Sequence, residues 1–205
     1  MYRLLLLLCM ATQISSAQKV VKKSIGDNDI ELINIDVAHC YRLDLKTVKG
    51  NEVSIEATID GEYKRELLLS LEQEGRTYYV SSGFQPVFEN PNDKLSAHKV
   101  VSIALKILVP EYLEVYVYGR SCNVTASGNY RDLTISLNDG DCILRDVGEE
   151  TIVATQSGNI SVYAKAAAIS ANTKYGEVSG DTIPEADNHY RLSSVTGNIH
   201  LKKTE

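Results

Sequence analysis

The residues best suited to catalysis are five carboxylates in the second half of the chain: Asp139, Asp141, Asp146, Glu149 and Glu150. Hydrolysis of a glycosidic bond needs two carboxyl groups flanking that bond, and polysaccharide-active enzymes built on stacked strands use such groups. Asp139 and Asp141, however, bracket a glycine, and a turn-forming role accounts for both. We therefore predict no catalytic residue, and keep a polysaccharide-active enzyme only as an alternative.

Other chemistries lack their sequence patterns. Residues 27–31 carry oxygen ligands of the kind that Ca²⁺ prefers, but their spacing is not that of a calcium-binding loop, which favours a charged turn. No two of the four histidines have metal-ligand spacing, and the chain contains no G-x-S-x-G, P-loop or dinucleotide-binding pattern. We therefore predict no metal ion and no cofactor.

Tyrosines alternate with aliphatic residues in the segment Y-L-E-V-Y-V-Y, residues 112–118. Because successive side chains of a strand point to opposite faces, the aliphatic residues would face a core and the tyrosines solvent. Tyrosine combines a flat apolar ring with a polar tip, which suits sugars and protein partners. Tyr112, Tyr116 and Tyr118 are therefore the candidate contact surface, unless they only stabilise an exposed sheet.

The elements that position these residues are predicted to be strands. Apolar and polar residues alternate over short runs through most of the chain, beginning near Ile30, and this period-two pattern is typical of β-structure. Residues 83–97, with two prolines and several polar residues, are the longest predicted loop.

Glycines recur in one local pattern from residue 113 onward. They lie at intervals of 12, 18, 18 and 21 residues, at Gly128, Gly140, Gly158, Gly176 and Gly197. Apolar residues favour positions two and four after each glycine and three and five before it, with exceptions such as Asp132 and Gly180, predicted to mark short or edge units. Each unit would be a strand, a turn and a strand that must stack on its neighbours to bury its inner face. The prediction is an all-β, single-domain β-solenoid, a parallel β-helix-like stack.

The N-terminus reads as an export signal. Arg3 precedes an apolar run, and small residues end the segment at Ala17. The run is shorter than the roughly 20 residues that span a bilayer. We expect residues 1–17 to be a signal peptide and residues 18–205 to be one domain with its clearest repeats over residues 109–203. Lipidation at Cys9 is a weaker alternative, because small residues do not precede it.

Charge, hydropathy and cysteine content bear on the possible partners, the membrane association and the disulfide bonds of the protein. The net charge is −6 with both signs interspersed, so a nucleic-acid partner is not expected. No later segment has the length and composition of a membrane span, so we do not expect an integral membrane protein. Three cysteines follow the leader, Cys40, Cys122 and Cys142, without metal-ligand spacing. We favour buried thiols, with a Cys122–Cys142 bridge as the alternative.

The segment I-L-V-P-E-Y-L-E-V, residues 107–115, is followed by repeated S-G-N and D-G-D units. This arrangement resembles the bacterial adhesin-like domains of unknown function, relatives of the autotransporter-adhesin-head-like and toast-rack β-solenoid families. The resemblance covers residues 30–203 and departs from the pattern at Tyr175-Gly176-Glu177. It implies stacked β rungs, a location outside the cytoplasm and no established catalytic residues.

Together these features predict a non-enzymatic, exported cell-envelope protein in the periplasm or on the cell surface. It would act as a structural, adhesion or binding module whose partner is an envelope protein or a glycan. An accessory protein in envelope-stress signalling is the main alternative.

Overall fold

The structure is a computed structural model that describes residues 19–26, 29–61, 67–84 and 101–205. The predicted signal peptide and nearly all of the predicted loop at residues 83–97 lie outside the described residues. The described part is all-β, with fifteen strands and no helix, as predicted. It accordingly holds no helix long and apolar enough to cross a membrane.

In chain order the strands are β1 (Lys19–Gly26), β2 (Leu32–Asp36), β3 (Arg42–Val48), β4 (Glu52–Gly61), β5 (Leu67–Glu74), β6 (Thr77–Phe84), β7 (Val101–Pro110), β8 (Glu114–Ser121), β9 (Asn123–Asp139), β10 (Cys142–Thr155), β11 (Ile160–Ala164), β12 (Ala168–Thr173), β13 (Val178–Gly180), β14 (His189–Ser194) and β15 (Ile199–Lys203).

The strands arise from the alternation that the sequence shows. In β4 every second side chain is buried, and none of Val53, Ile55, Ala57 and Ile59 is more than 1% exposed. Alternation of this kind gives each strand one apolar face that must be covered. The predicted strand pattern is therefore confirmed over this part of the chain.

The strands form one sheet that branches into two ladders. The first ladder runs β1-β4-β7-β3-β9-β10-β11-β15-β13, and the second runs β5-β6-β2-β8-β9-β10-β14-β12. The long strands β9 and β10 belong to both, because their first halves pair in the first ladder and their second halves in the second. The apolar faces of both ladders join in one hydrophobic cluster, so the core lies between them.

Most neighbouring strands are parallel, and the antiparallel pairs are at one end. They are β1 with β4, β4 with β7, and β5 with β6. Parallel pairing then continues to β12 and β13. The stacking order departs from the chain order, because β14 and β15 lie between the preceding strands and β12 and β13.

The turns divide into two corners. At the glycine corner, the chain passes from the second ladder to the first through Gly140, Gly158, Gly176 and Gly197. At the bulged corner, β9 and β10 pass from the first ladder to the second, with register shifts on both sides of Val147.

The prediction that Gly128 belongs with the other four glycines is wrong. Gly128 lies at the bulged corner, where it pairs with Val147. The residue that stacks on Gly140 at the glycine corner is Cys122, so this rung begins 18 positions earlier, in step with the neighbouring rungs. Glycine spacing alone does not show at which corner a glycine lies, because the turns at both corners favour glycine.

Of the two residues predicted to mark short or edge units, one does so and the other does not. Gly180 ends the three-residue strand β13, which lies at the edge of the stack as predicted. Asp132, in contrast, lies inside β9 and pairs with strands on both sides, so its assignment to an edge unit is wrong.

Candidate binding surfaces

Tyr116 and Tyr118 lie on the outer face of β8, on the second ladder. They are 37% and 47% exposed, whereas the alternating residues Val115 and Val117 are buried. The alternation predicted for this strand is therefore confirmed. The outward direction of both tyrosines follows from the burial of the two valines in the core between the ladders.

A third tyrosine joins them from another part of the chain. Strand β2 lies between β6 and β8, and its Asn34 pairs with Tyr79 on one side and Tyr116 on the other. Tyr79 is also 37% exposed. We define the tyrosine surface as Tyr79, Tyr116 and Tyr118 together with Asn34 and Asp36.

The sequence contained part of the signal for Tyr79. In the segment T-Y-Y-V, Tyr78 is buried and Tyr79 is exposed, as period-two alternation requires. What could not be read from the sequence is the pairing of β6 and β8 with the same strand, β2, although β2 precedes both in the chain.

The tyrosine surface carries few charges. Asp36, which pairs with Tyr118, accepts a hydrogen bond from the backbone N–H of Ala38 at 2.8 Å. Partial burial, with smaller effects of Asp36 and Tyr79, raises the pKa of Tyr118 above its usual value. The surface therefore presents phenol groups beside the carboxylate of Asp36 and the amide of Asn34, with Glu72 paired to Tyr79 at its edge. Such a combination is suited to hydroxyl-rich or amide-rich ligands.

Tyr112, the third predicted residue, is not part of this surface. It precedes β8 in a turn with φ 65°, and its backbone N–H donates to the carbonyl of Asn129 at 3.0 Å. Its ring is 54% exposed and lines a hollow of about 290 Å³ at the bulged corner.

That hollow contains all three non-glycine residues with positive φ in the described part of the chain: Tyr112, Asp146 and Glu149. The register shifts of β10 fall next to Asp146 and Glu149, so both are bulge residues. Tyr190 closes the hollow from the core side, and its hydroxyl donates to the carbonyl of Val147. Burial, with a smaller effect of Asp146, raises the pKa of Tyr190 to about 12.

The structure does not gather the five candidate carboxylates into one site. Asp139 and Asp141 lie at the glycine corner and accept hydrogen bonds there, which agrees with their predicted turn-forming role. Asp146 and Glu149 lie at the bulged corner, and the Asp146 carboxylate accepts a hydrogen bond from Thr204. Glu150 is on the second ladder.

Glu150 lies beside a shallow hollow of about 400 Å³, where its carboxylate is 3.2 Å from Nδ1 of His189. Glu185 and Arg191 also line this hollow. Both members of the pair are about half exposed, at 46% and 59%, so water solvates them and screens their interaction.

The three cysteines of the described chain are free and buried, as favoured over a bridge. Burial raises the pKa of the Cys40 thiol to about 11, and those of Cys122 and Cys142 to about 12. They are therefore protonated at neutral pH and are poor nucleophiles. Within the same ranges of the chain, no three residues among His, Cys, Asp and Glu are placed to hold a metal ion.

No protein-family model matches this sequence, and no curated protein matches it either. Among solved structures, the chain is similar to "a putative cell adhesion protein" from Clostridium sporogenes. The TM-score is 0.66 at 13% identity, over 92% of this chain and 100% of that one. It also matches "a putative adhesin" from Bacteroides fragilis, with a TM-score of 0.41 at 10% identity over 92% and 99% of the two chains.

A further match is a "putative lipid binding protein" from Parabacteroides distasonis, with a TM-score of 0.37 at 11% identity over 91% and 97% of the two chains. At these identities the matches concern the fold alone. The fold of the present chain is shared with the Clostridium sporogenes protein, in agreement with the resemblance to adhesin-like domains read from residues 107–115.

Proposed function

We propose that this protein is a non-enzymatic, exported binding module of the bacterial cell envelope, which contacts a partner protein or a glycan through the tyrosine surface. Residues 1–17 would be its signal peptide, and residues 18–205 its single domain. The observation that carries the proposal is the placing of Tyr79, Tyr116 and Tyr118 on one outer sheet face from strands far apart in the sequence.

We further propose that the two ladders form a β-solenoid. The support is the stacking of equivalent turns, because the carbonyls of Gly140, Gly158 and Gly197 lie against Gly158, Gly197 and Gly176 in turn. A stack of this kind presents wide outer faces on a framework held by its backbone ladders, and rigid frameworks hold binding residues with little loss of entropy on binding.

A binding role also accounts for the absence of a gathered catalytic site among the described residues. The candidate carboxylates are dispersed, and the two at the glycine corner are engaged in holding the backbone. Large, half-exposed aromatic side chains on a sheet are, in contrast, the residues that dominate binding energies at interfaces. The fold likeness to a protein described as a cell adhesion protein supports the same role.

The test is a binding screen of the purified protein against an array of glycans and an extract of bacterial envelope proteins. The double variant Tyr116→Ala, Tyr118→Ala should reduce the affinity for the retained partner about 30-fold, the effect of losing about 2 kcal/mol at an interface hot spot. Tyr175→Ala is the matched control, because Tyr175 is 70% exposed but lies at the far end of the stack.

Equal affinities of the double variant and the native protein would contradict the role of the tyrosine surface. Retention of a membrane protein alone would favour the signalling accessory. Cleavage of any polysaccharide in the array would contradict a non-enzymatic function.

A further inference from the structure

The outer face of the first ladder carries a row of cations that crosses its strands. Lys46 on β3 pairs with Ser127 on β9, which pairs with Arg145 on β10. Arg145 pairs with Tyr163 on β11, which pairs with Lys202 on β15. A cation therefore stands on every second strand, at intervals of about 10 Å, since neighbouring strands are about 4.8 Å apart.

Tyr163 holds two of these cations in place. The guanidinium of Arg145 lies 4.3 Å from the centre of the Tyr163 ring, and the ammonium of Lys202 lies 5.9 Å from it. Both distances are within the range of cation–π attraction. Tyr163 stands on the strand between the two like charges, and its ring contacts both of them.

The cation row is not neutralised by its surroundings. Among the described residues, Lys46, Arg145 and Lys202 take part in no salt bridge with a carboxylate. Asp44 lies 2.9 Å from the guanidinium of Arg42, which balances its charge, whereas Asp181 accepts a hydrogen bond from a neutral group, the backbone N–H of Lys203. Three exposed cations are thus available in a protein whose net charge is −6.

A hollow adjoins the row at the end of the stack. The last strand, β13, stops at Gly180, whereas β15 beside it continues to Lys203. The step leaves a space of about 280 Å³ whose lining includes Ser161, Tyr163, His200 and Lys202, and one carboxylate, that of Asp181. Hydroxyl and imidazole groups therefore lie next to the cations, where they can bond the hydroxyl groups of a ligand.

We propose that the cation row binds a linear anionic polysaccharide that runs across the strands, with its carboxylate or sulfate groups at Lys46, Arg145 and Lys202. Acid groups on alternate sugars of an extended chain recur at an interval similar to that of the row. Arg145 supplies the planar, two-pronged donor that carboxylate and sulfate groups favour. This inference rests on the proposed binding role but uses the face opposite the tyrosine surface.

A single-stranded nucleic acid fits the row less well. Such ligands need open aromatic rings on which bases can stack, whereas the Tyr163 ring is flanked by Arg145 and Lys202. A polysaccharide needs only the spaced cations and the neighbouring hydroxyl groups. The favoured ligand is therefore an acidic glycan.

The test is titration of the purified protein with heparin fragments and polygalacturonate, and with neutral dextran and oligothymidylate for comparison. We expect binding to at least one acidic glycan that weakens as salt concentration rises, and no binding to dextran. The variant Arg145→Gln, Lys202→Gln should lower the affinity at least about tenfold. Tyr163→Leu should lower it about threefold, and Tyr163→Phe should leave it unchanged, because the ring is retained.

Lys106→Gln is the matched control, because Lys106 is exposed on the same ladder but pairs with Glu56 and Asp44. Equal losses in this control and the double variant would overturn the proposal, as would failure to bind either acidic glycan. Tighter binding of oligothymidylate would overturn the choice of ligand. The Tyr116→Ala, Tyr118→Ala variant should still bind the acidic glycan, so failure at either face can be distinguished.

Discussion

The two corners both carry the chain from one ladder to the other, but they are built from different residues. At each corner, the chain must leave one ladder and enter the other while adjacent rungs stay in contact. The glycine corner does so with small residues and repeated backbone contacts, and the bulged corner with extra residues and positive φ angles. The glycine corner therefore has no space for larger side chains, whereas the bulged corner forms a hollow and accepts them.

The glycine corner is regular because its turns touch through their backbones. A Cβ atom on Gly158 would lie 1.8 Å from the carbonyl oxygen of Gly140, and one on Gly197 would lie 2.0 Å from that of Gly158. Close approach, more than an unusual φ angle, therefore requires glycine at these positions. Beside the glycines, side-chain amide and carboxylate oxygens bond the backbone of the next rung.

Replacing Gly158 should have the largest effect on stability. Gly158→Ala forces a methyl group against the backbone of the adjacent rung, which cannot move without shifting that rung as well. We expect a loss of about 3 kcal/mol or more in the free energy of unfolding, at the upper end of overpacking effects. Urea denaturation followed by circular dichroism measures this loss.

Gly83→Ala is the control, because Gly83 is a glycine of strand β6 that has no atom within 4 Å of its Cβ position. Its effect should stay within about 0.5 kcal/mol. Similar stabilities of the two variants would show that contact between turns does not determine the corner.

The sequence predicts those features of the fold that depend on a short local segment. Alternation predicts the strands, and residues such as Val53 and Ile55 are buried as expected. The assignment of Gly128 to the glycine corner is wrong, because the sequence does not reveal which ladder a turn enters. The sequence does not reveal the order of the last two rungs either. The position of β14 between β10 and β12, and of β15 between β11 and β13, depends on long-range pairing.

The same limit applies to the binding surfaces. Tyr116 and Tyr118 are two positions apart, so a single strand predicts their common face. Tyr79 joins them only because β2 lies between β6 and β8. The cation row crosses five strands and takes one cation from each of three, so no local segment carries its pattern.

Replacing Asn159 should have an intermediate effect at the glycine corner. Its side-chain oxygen accepts a hydrogen bond from the backbone N–H of Asn198 at 2.9 Å, and its amide donates to Asp141 at 3.2 Å. Asn159→Ala removes both bonds and leaves the Asn198 N–H without this acceptor. We expect a loss of about 1–2 kcal/mol in the free energy of unfolding.

Asn159→Asp distinguishes the contributions of the two hydrogen bonds. It retains the acceptor for the Asn198 N–H but replaces the donor to Asp141 with a second carboxylate. It should be less stable than the native protein and gain stability when the pH falls low enough to protonate one carboxylate. Asn172→Ala, at an exposed position of β12, is the control and should change stability by less than about 0.5 kcal/mol. A loss in this control equal to that of Asn159→Ala would argue against the hydrogen-bonded ladder.

The smallest effect is expected at the bulged corner, and with the opposite sign. Glu149 has φ 61°, a conformation that disfavours residues with a Cβ atom, and its side chain is exposed. Glu149→Gly should therefore raise the free energy of unfolding by about 0.5–1 kcal/mol. Glu149→Ala removes the same carboxylate but keeps the unfavourable φ, so it should give no gain. If the two variants are equally stable in urea, the bulged corner stores no backbone strain, and the contrast between the corners is one of packing alone.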